Sequence, residues 1–339
     1  MDSQHFPSRR AERAQERRRR MIRRRMAVVG CLVIAVAAAA VAVGSVGGGS
    51  SRNTPPPASA SAPGRPGAGG HRRAGANHHK ATHARGNSTA AGLGVPTGHP
   101  GTATVPVLMY HVIAPPPPGA PFPGLYVTPA EFQAQMQALK AAGWTAVTLD
   151  QMRTYWSNGA KLPPGKPIVL TFDNGYHSQY TQALPVLRRL GWPADENIQL
   201  TGLPPSQGGM TPSEVRGLVN AGWELDTQGM SHADLATADA AQLRYQIVTA
   251  RSLLRREYGV PVNWFCYPSG QYNATVIAAL HAAGYVGSTT VVPGWAGAST
   301  DPYRLPRLRV LGGTSPSALL AQIASARSNG QPPGSYVTS

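Results

Sequence analysis

The chain has 339 residues, enough for two average domains or one large α/β domain with tails. Its formal net charge of +16 is uneven: residues 1–25 carry +7, residues 48–103 carry +6, and everything from Thr104 onward carries +3. The basic character belongs to the N-terminal third and does not mark the globular part as a nucleic-acid binder, and two cysteines, Cys31 and Cys266, exclude a disulfide framework or a zinc site built on thiolates.

Residues 1–25 read as a basic cytoplasmic tail. Met26–Gly47 then runs without a charge, long enough at ~1.5 Å per residue to cross a bilayer core of roughly 30 Å. Arg17–Arg20 and Arg23–Arg25 stand directly before it and predict a single-pass signal-anchor that keeps the C-terminal bulk outside the cytoplasmic membrane. A cleaved signal peptide is the alternative; the length of the run, with no A-x-A site after it, favours the anchor. Val28–Cys31 has the form of a lipoprotein box, but it stands at the wrong end of the run. A nucleic-acid-binding arm is the other reading of the arginines, and the adjacent span outweighs it. Residues 48–103 are Gly, Pro, Ala, Ser, His and Arg, too poor in apolar side chains to offset chain entropy, and predict a disordered linker. His71, His78, His79 and His83 offer imidazoles there; a solvated linker near an anionic cell wall is the simpler reading.

From Thr104 to about residue 330 the pattern alternates between β-type runs and amphipathic helices. Val105–Tyr110 predicts a buried strand. Thr128–Glu131 is a capping box with Pro at the first helical position, and Phe132, Met136 and Leu139 then fall on one helix face. Thr145–Leu149 and Ile168–Asp173 predict strands, with a helix through Tyr180–Leu190 and a strand at Ile198–Thr201. Thr211–Glu214 repeats the capping box. Trp223–Thr227 (strand), Ala240–Tyr258 (helix), Val262–Tyr267 (strand), Asn273–Ala283 (helix), Tyr285–Val291 and Leu305–Val310 (strands) follow, and Ser315-Pro316 opens a last helix. Residues 331–339 read as a disordered tail. Strands alternating with helices imply a parallel sheet, and this repeat count predicts a closed βα-barrel with functional residues at the C-terminal strand ends. That rule selects His111, Asp173-Asn174, Gln228 to His232 and Tyr267–Gly270.

Asp173 closes an apolar strand before a tight Asn174-Gly175 turn; it reads as a partly desolvated base or as an Asx-turn. His232 reads as a ligand or as a satisfied structural imidazole. The Tyr267–Gly270 turn can present backbone N–H groups to an anion, or be a turn and nothing more.

Together these stretches resemble the polysaccharide deacetylases of carbohydrate esterase family 4, the NodB-homology domain. Pro106–His111 (PVLMYH) is similar to the family's opening strand. Leu170–Tyr176 (LTFDNGY) is similar to its first motif, Trp223–Leu235 (WELDTQGMSHADL) to its second and Phe265–Asn273 (FCYPSGQYN) to its third; Leu305–Val310 (LPRLRV) matches a common C-terminal stretch. The resemblance implies a distorted βα-barrel and metal-assisted hydrolysis of acetamido groups on a cell-envelope glycan, with a divalent ion, usually zinc, held by one Asp and two His. Carried over, the base is Asp173, the metal positions are Asn174, Gln228 and His232, and the oxyanion donor is the backbone N–H of Ser269. No His in Leu305–Gly313 supplies the usual acid, and Ala194–Asn197 replaces an apolar segment. Neutral Asn174 and Gln228 suit calcium better than zinc, so the resemblance implies a degraded zinc site. Asp195, Glu196 and Asp226 are candidate replacement ligands. Tyr176, Tyr267, Pro268 and Trp295 are candidate sugar contacts. Three functions follow as expectations: a hydrolase with unusual metal chemistry, a glycan-binding pseudoenzyme, or a docking domain.

Overall fold

The computed structural model describes residues 96–201, 203, 208–328 and 332–337. The basic tail, the Met26–Gly47 run and most of the linker lie outside the described residues. Among the described residues no helix is long and apolar enough to cross a membrane.

The frame is a curled, mainly parallel sheet. Strand β1 (Val105–Tyr110) pairs in parallel with β3 (Lys166–Asn174). The first half of β3 pairs with β2 (Trp144–Val147) and the second half with β4 (Asp195–Ile198). The sheet continues in parallel through β5 (Glu224–Thr227), β6 (Trp264–Cys266) and β7 (Gly287–Thr289). On the free edge of β1, an antiparallel β8 (Trp295–Ala296) joins its start and β9 (Leu308–Arg309) its end. Leu305 also bridges Thr289, so the segment from Leu305 to Arg309 spans from β7 to β1. The expected closed barrel is therefore a half-barrel, curled by its twist, with one short extended segment across the gap.

Alternation along the strands divides the residues between the two faces. The outer face carries Leu108, Tyr110, Leu170 and Phe172, packed with Phe132, Met136, Leu184, Leu187, Leu319 and Ile323 from the covering helices. Further round, Leu225, Phe265 and Tyr267 pack against Ile247, Leu254, Val276 and Leu280. Inside the curl, Val105, Val107, Val169, Trp264 and Leu305 form an apolar base. Above them the interior turns polar, with Thr171, Asp173, Asp195, Asn197, Asp226 and Arg307 all buried. That inversion explains one shifted element. The strand expected at Ile198–Thr201 is Asp195–Ile198, because Asp195 and Asn197 face a polar interior instead of solvent.

Helices begin where their caps are. Thr128 and Thr211 close capping boxes with Glu131 and Glu214. Thr148 does the same with Gln151 and starts a helix at Leu149–Asn158 that the strand pattern over Thr145–Leu149 concealed. The long helix expected over Ala240–Tyr258 is interrupted by a π-helical segment, Arg244–Thr249. The last linker residues are held on the Leu149–Asn158 helix: Gly101 N–H donates to Tyr155 O at 2.9 Å, and Trp156 Nε1 donates to Ala103 O at 2.8 Å. Residues 332–337, expected as tail, are also attached, since Tyr272 and Tyr336 exchange two backbone hydrogen bonds.

Candidate functional site

The C-terminal ends of the strands open into a cleft of about 650 Å³. His111, Asp173, Asn174, Tyr176, Gln228, His232, Tyr267 and Ser269 all line it, so most of the rim expected from the strand ends does converge. Two expected sugar contacts do not. Pro268 is buried in the turn behind Ser269. Trp295 stands on β8, where its Nε1 donates to Ile323 O at 2.9 Å and its ring meets Trp144 edge-on. Tyr267 shows the cleft only a wall: it is buried, stacks on Tyr272 and donates its hydroxyl to Tyr303 O at 2.8 Å. The exposed aromatic of the cleft is Phe122, with Leu311 also exposed beside it.

Asp173 is held more tightly than a free base. Arg307, fully buried on the segment spanning β7 to β1, grips it with two parallel bonds: Nη1 to Oδ1 at 2.7 Å and Nη2 to Oδ2 at 2.9 Å. Asn197 Nδ2 also donates to Oδ1 at 2.9 Å, and the Cys266 thiol lies 3.5 Å from Oδ2. A carboxylate offers about four acceptor directions, and all four are taken here. Burial pushes the Asp173 carboxyl up, but the charge and hydrogen bonds of Arg307 outweigh it and hold the group at about 2. Arg307 is itself satisfied by Thr290 O at 2.8 Å and Thr171 Oγ1 at 2.9 Å. His111 Nε2 lies 3.9 Å from Asp173 Oδ2, yet burial lowers its imidazole to about 4, so it is neutral at pH 7.

The three positions carried over as metal ligands hold two amides and one imidazole. Asn174 and Gln228 present neutral amide oxygens, Oδ1 and Oε1, both buried without a partner. His232 is the one imidazole among the three positions, and its Nε2 accepts from Ser269 N–H at 3.4 Å. The Ser269 N–H expected to stabilise an oxyanion is therefore turned to His232. Among the described residues, the rim does not gather three His, Cys or carboxylate ligand atoms around one point. Zinc with three protein ligands needs imidazole, thiolate or carboxylate.

The candidate replacement ligands lie elsewhere. Asp195 and Glu224, level with Thr171, join Asp226, which is in register with Asn197 and Asp173; their ligand atoms lie within 4.8 Å of one another, forming an acidic triad that could bind a metal. Glu196 occupies the alternate position of β4, in register with Phe172 and Leu225. Burial, and then the neighbouring Asp150 charge, pushes the Glu224 carboxyl up to about 8; burial and Glu224 push Asp195 and Asp226 up as well. An acid raised in the folded state retains its proton there after the unfolded chain has lost its own, so stability falls as pH rises from about 4.5 toward 8. Asp173 acts oppositely: its stabilisation is complete above the unfolded value and is lost as pH falls toward about 2. Thermal unfolding should therefore peak near pH 4.5–5.5 and decline by pH 8. A melting temperature that rises steadily to pH 8 in metal-free buffer would contradict this.

Residues 160–288 match the sequence pattern of the polysaccharide deacetylase family. Over that stretch the chain is similar to polysaccharide deacetylases. YxkH of Bacillus subtilis (strain 168), named for the same family, is 28% identical over 224 residues, covering 66% of this chain and 77% of that protein. The structure of the Streptococcus pyogenes deacetylase PplD in complex with acetate superimposes with a TM-score of 0.60 at 27% identity, covering 66% of this chain and 99% of that one. The poly-beta-1,6-N-acetyl-D-glucosamine N-deacetylase of Escherichia coli (strain K12) is 38% identical over 68 residues, which is 20% of this chain and 10% of that protein. The half-barrel is thus a polysaccharide deacetylase fold. Arg307, the residue that grips Asp173, carried a weak signal in the sequence: it is one of two arginines, with Arg309, in the LPRLRV run.

Proposed function

We propose that the cleft holds an N-acetylated glycan on a polysaccharide deacetylase scaffold without the zinc-dependent turnover that the scaffold elsewhere supports. The observation that carries this reading is the Asp173–Arg307 pair beside Asn174 and Gln228: the base has no open acceptor direction, and two metal positions are neutral amides. What remains suits recognition. Asn174 Oδ1, Gln199 Oε1 and Gln228 Oε1 are unpartnered acceptors on residues that line the cleft, matched to sugar hydroxyls and acetamido N–H groups. Val112, Leu125, Tyr126, Tyr176 and Phe122 supply apolar wall for the ring faces. The names of the relatives, an acetate complex and a poly-N-acetylglucosamine deacetylase, point to acetamido sugars as the ligand class.

Calorimetric titration with N-acetylglucosamine oligomers should show binding by the full chain. Gln199→Leu should weaken it about 5- to 150-fold, the equivalent of a buried hydrogen-bonding group left unmatched. No binding by the unmodified chain would sink the reading. One observation favours a second reading, slow hydrolysis with His111 as base: its neutral imidazole lines the cleft with Nδ1 unpartnered. Acetate release that disappears in His111→Phe while oligomer binding persists would establish that alternative.

A further inference from the structure

The segment that spans from β7 to β1 alternates between two faces. Leu308 and Val310 pack in the outer core. The positions between them face into the curl: Leu305 in the apolar base, Arg307 on Asp173, then Arg309 and Leu311 at the cleft. Two arginines thus stand one step apart on the same face, in different states. Arg307 is fully buried and its charge is matched by Asp173. Arg309 is exposed, lines the cleft and takes part in no ion pair among the described residues.

We infer that Arg309 is a carboxylate subsite, so that the glycan this cleft selects carries a carboxylate on or beside its acetamido sugar. The inference rests on the glycan binding proposed above and adds the charge of the ligand. The charge balance of the cleft supports it. Asp173 is the one acid among the residues that line the cleft, and Arg307 already neutralises it. His111 is neutral at pH 7, and burial lowers the His232 imidazole too. The charge of Arg309 is therefore left with nothing inside the cleft to answer it. It also acts within the site, since it is one of the charges that lower the His111 imidazole.

The surroundings of Arg309 suit a carboxylate. Its main chain is pinned on both sides: Val310 N–H donates to Met109 O at 3.1 Å, Gly312 N–H to Gly124 O at 3.0 Å, and Gln322 Nε2 to Arg309 O at 3.0 Å. Only the side chain has to order on binding, which limits the entropy lost. A guanidinium meets a carboxylate with two parallel bonds. Leu311 and Phe122, exposed on the same cleft, offer apolar surface whose side chains donate nothing. A phosphate has more oxygens to satisfy than one guanidinium serves, whereas a carboxylate on a carbon skeleton uses both the fork and the apolar surface. Two sugars present that chemistry: a muramic residue through its lactyl ether, and a uronic acid through its ring carboxylate.

The test is calorimetric titration of the full chain with three tetrasaccharides: neutral N-acetylglucosamine, alternating N-acetylglucosamine and N-acetylmuramic acid, and alternating N-acetylglucosamine and glucuronic acid. A carboxylated tetramer should bind about 5-fold or more tightly than the neutral one, the upper end for an exposed ion pair, and the tighter of the two identifies the source of the carboxylate. Arg309→Gln should bring that ratio close to one, and Arg309→Lys, which keeps the charge and loses the fork, should retain part of it. In the unmodified chain the preference should shrink as salt is raised from about 0.02 M to about 0.5 M, where the Debye length falls from roughly 20 Å to roughly 4 Å. If Arg309→Gln misfolds, this salt series decides. Equal affinity for all three tetramers would overturn the inference and leave glycan binding standing. A preference that survives in Arg309→Gln would place the carboxylate elsewhere and overturn it equally. No binding by any of the three would overturn both the inference and the reading beneath it.

Discussion

Replacing Arg307 with methionine should destabilise the domain by about 3–5 kcal/mol, the usual effect of leaving one member of a buried ion pair without its partner. For a domain of this size that corresponds to a fall in melting temperature of roughly 6–20 °C. The cause is specific. Arg307 is fully buried, and its guanidinium meets Asp173, Thr171 and Cys266, while its Nε meets Thr290 O. Without it, the Asp173 carboxylate keeps one amide bond from Asn197 and a distant thiol. The double variant Arg307→Met with Asp173→Asn should recover a large part of the loss, because no charge is then stranded. Equal destabilisation in single and double variants would mean that packing, not the ion pair, is what Arg307 contributes.

The second large effect is on metal binding. Asn174→Asp with Gln228→His should place an Asp–His–His set at the rim with His232, and zinc affinity should rise by at least about 100-fold, since partners outside the first ligand shell alone are worth 10- to 100-fold. Asn174 has φ 82°, a left-handed conformation that Asp tolerates nearly as well as Asn. Gln228 is buried, with its Nε2 3.5 Å from Cys266 Sγ, so an imidazole of similar size replaces it without opening the cleft. Each single change should do far less than the pair, because ligands act as a unit. Calorimetry with zinc checks this, and protons should be released on binding at neutral pH. A gain no greater in the double variant than in either single one would show that the three positions do not converge on one ion.

Much of the fold was legible because its signals are local. The Thr128 and Thr211 boxes, the VPVLMY and IVLTFD runs and the Leu319 and Ile323 face each describe elements that need no distant partner. What was hidden depends on contacts across the curl. Asp195-Glu196-Asn197 looks like a loop until β3 and β5 flank it and make it a buried strand. Thr148–Gln151 is a capping box, but its threonine also closes a β-type run, and only the acids of β4 and β5 waiting for the helix N–H groups decide between them. Trp295 reads from the sequence as an aromatic sugar contact at the rim; pairing with β1 turns its indole to Ile323 instead. The site was readable in its membership and not in its state. Asp173, Asn174, Gln228 and His232 all line one cleft. The pairing of Asp173 with Arg307 spans 134 residues of sequence, and no spacing rule reaches that far.

The central claim is that this cleft recognises an acetamido glycan without zinc-dependent turnover. Its most direct test is acetate release from poly-β-1,6-N-acetylglucosamine oligomers by the purified full chain, with and without added zinc, at oligomer concentrations where calorimetry shows the cleft to be filled. The account predicts saturable binding with no acetate above the rate of the buffer alone, and no change on adding zinc. Stoichiometric zinc in the purified protein together with acetate release that a chelator abolishes would contradict it.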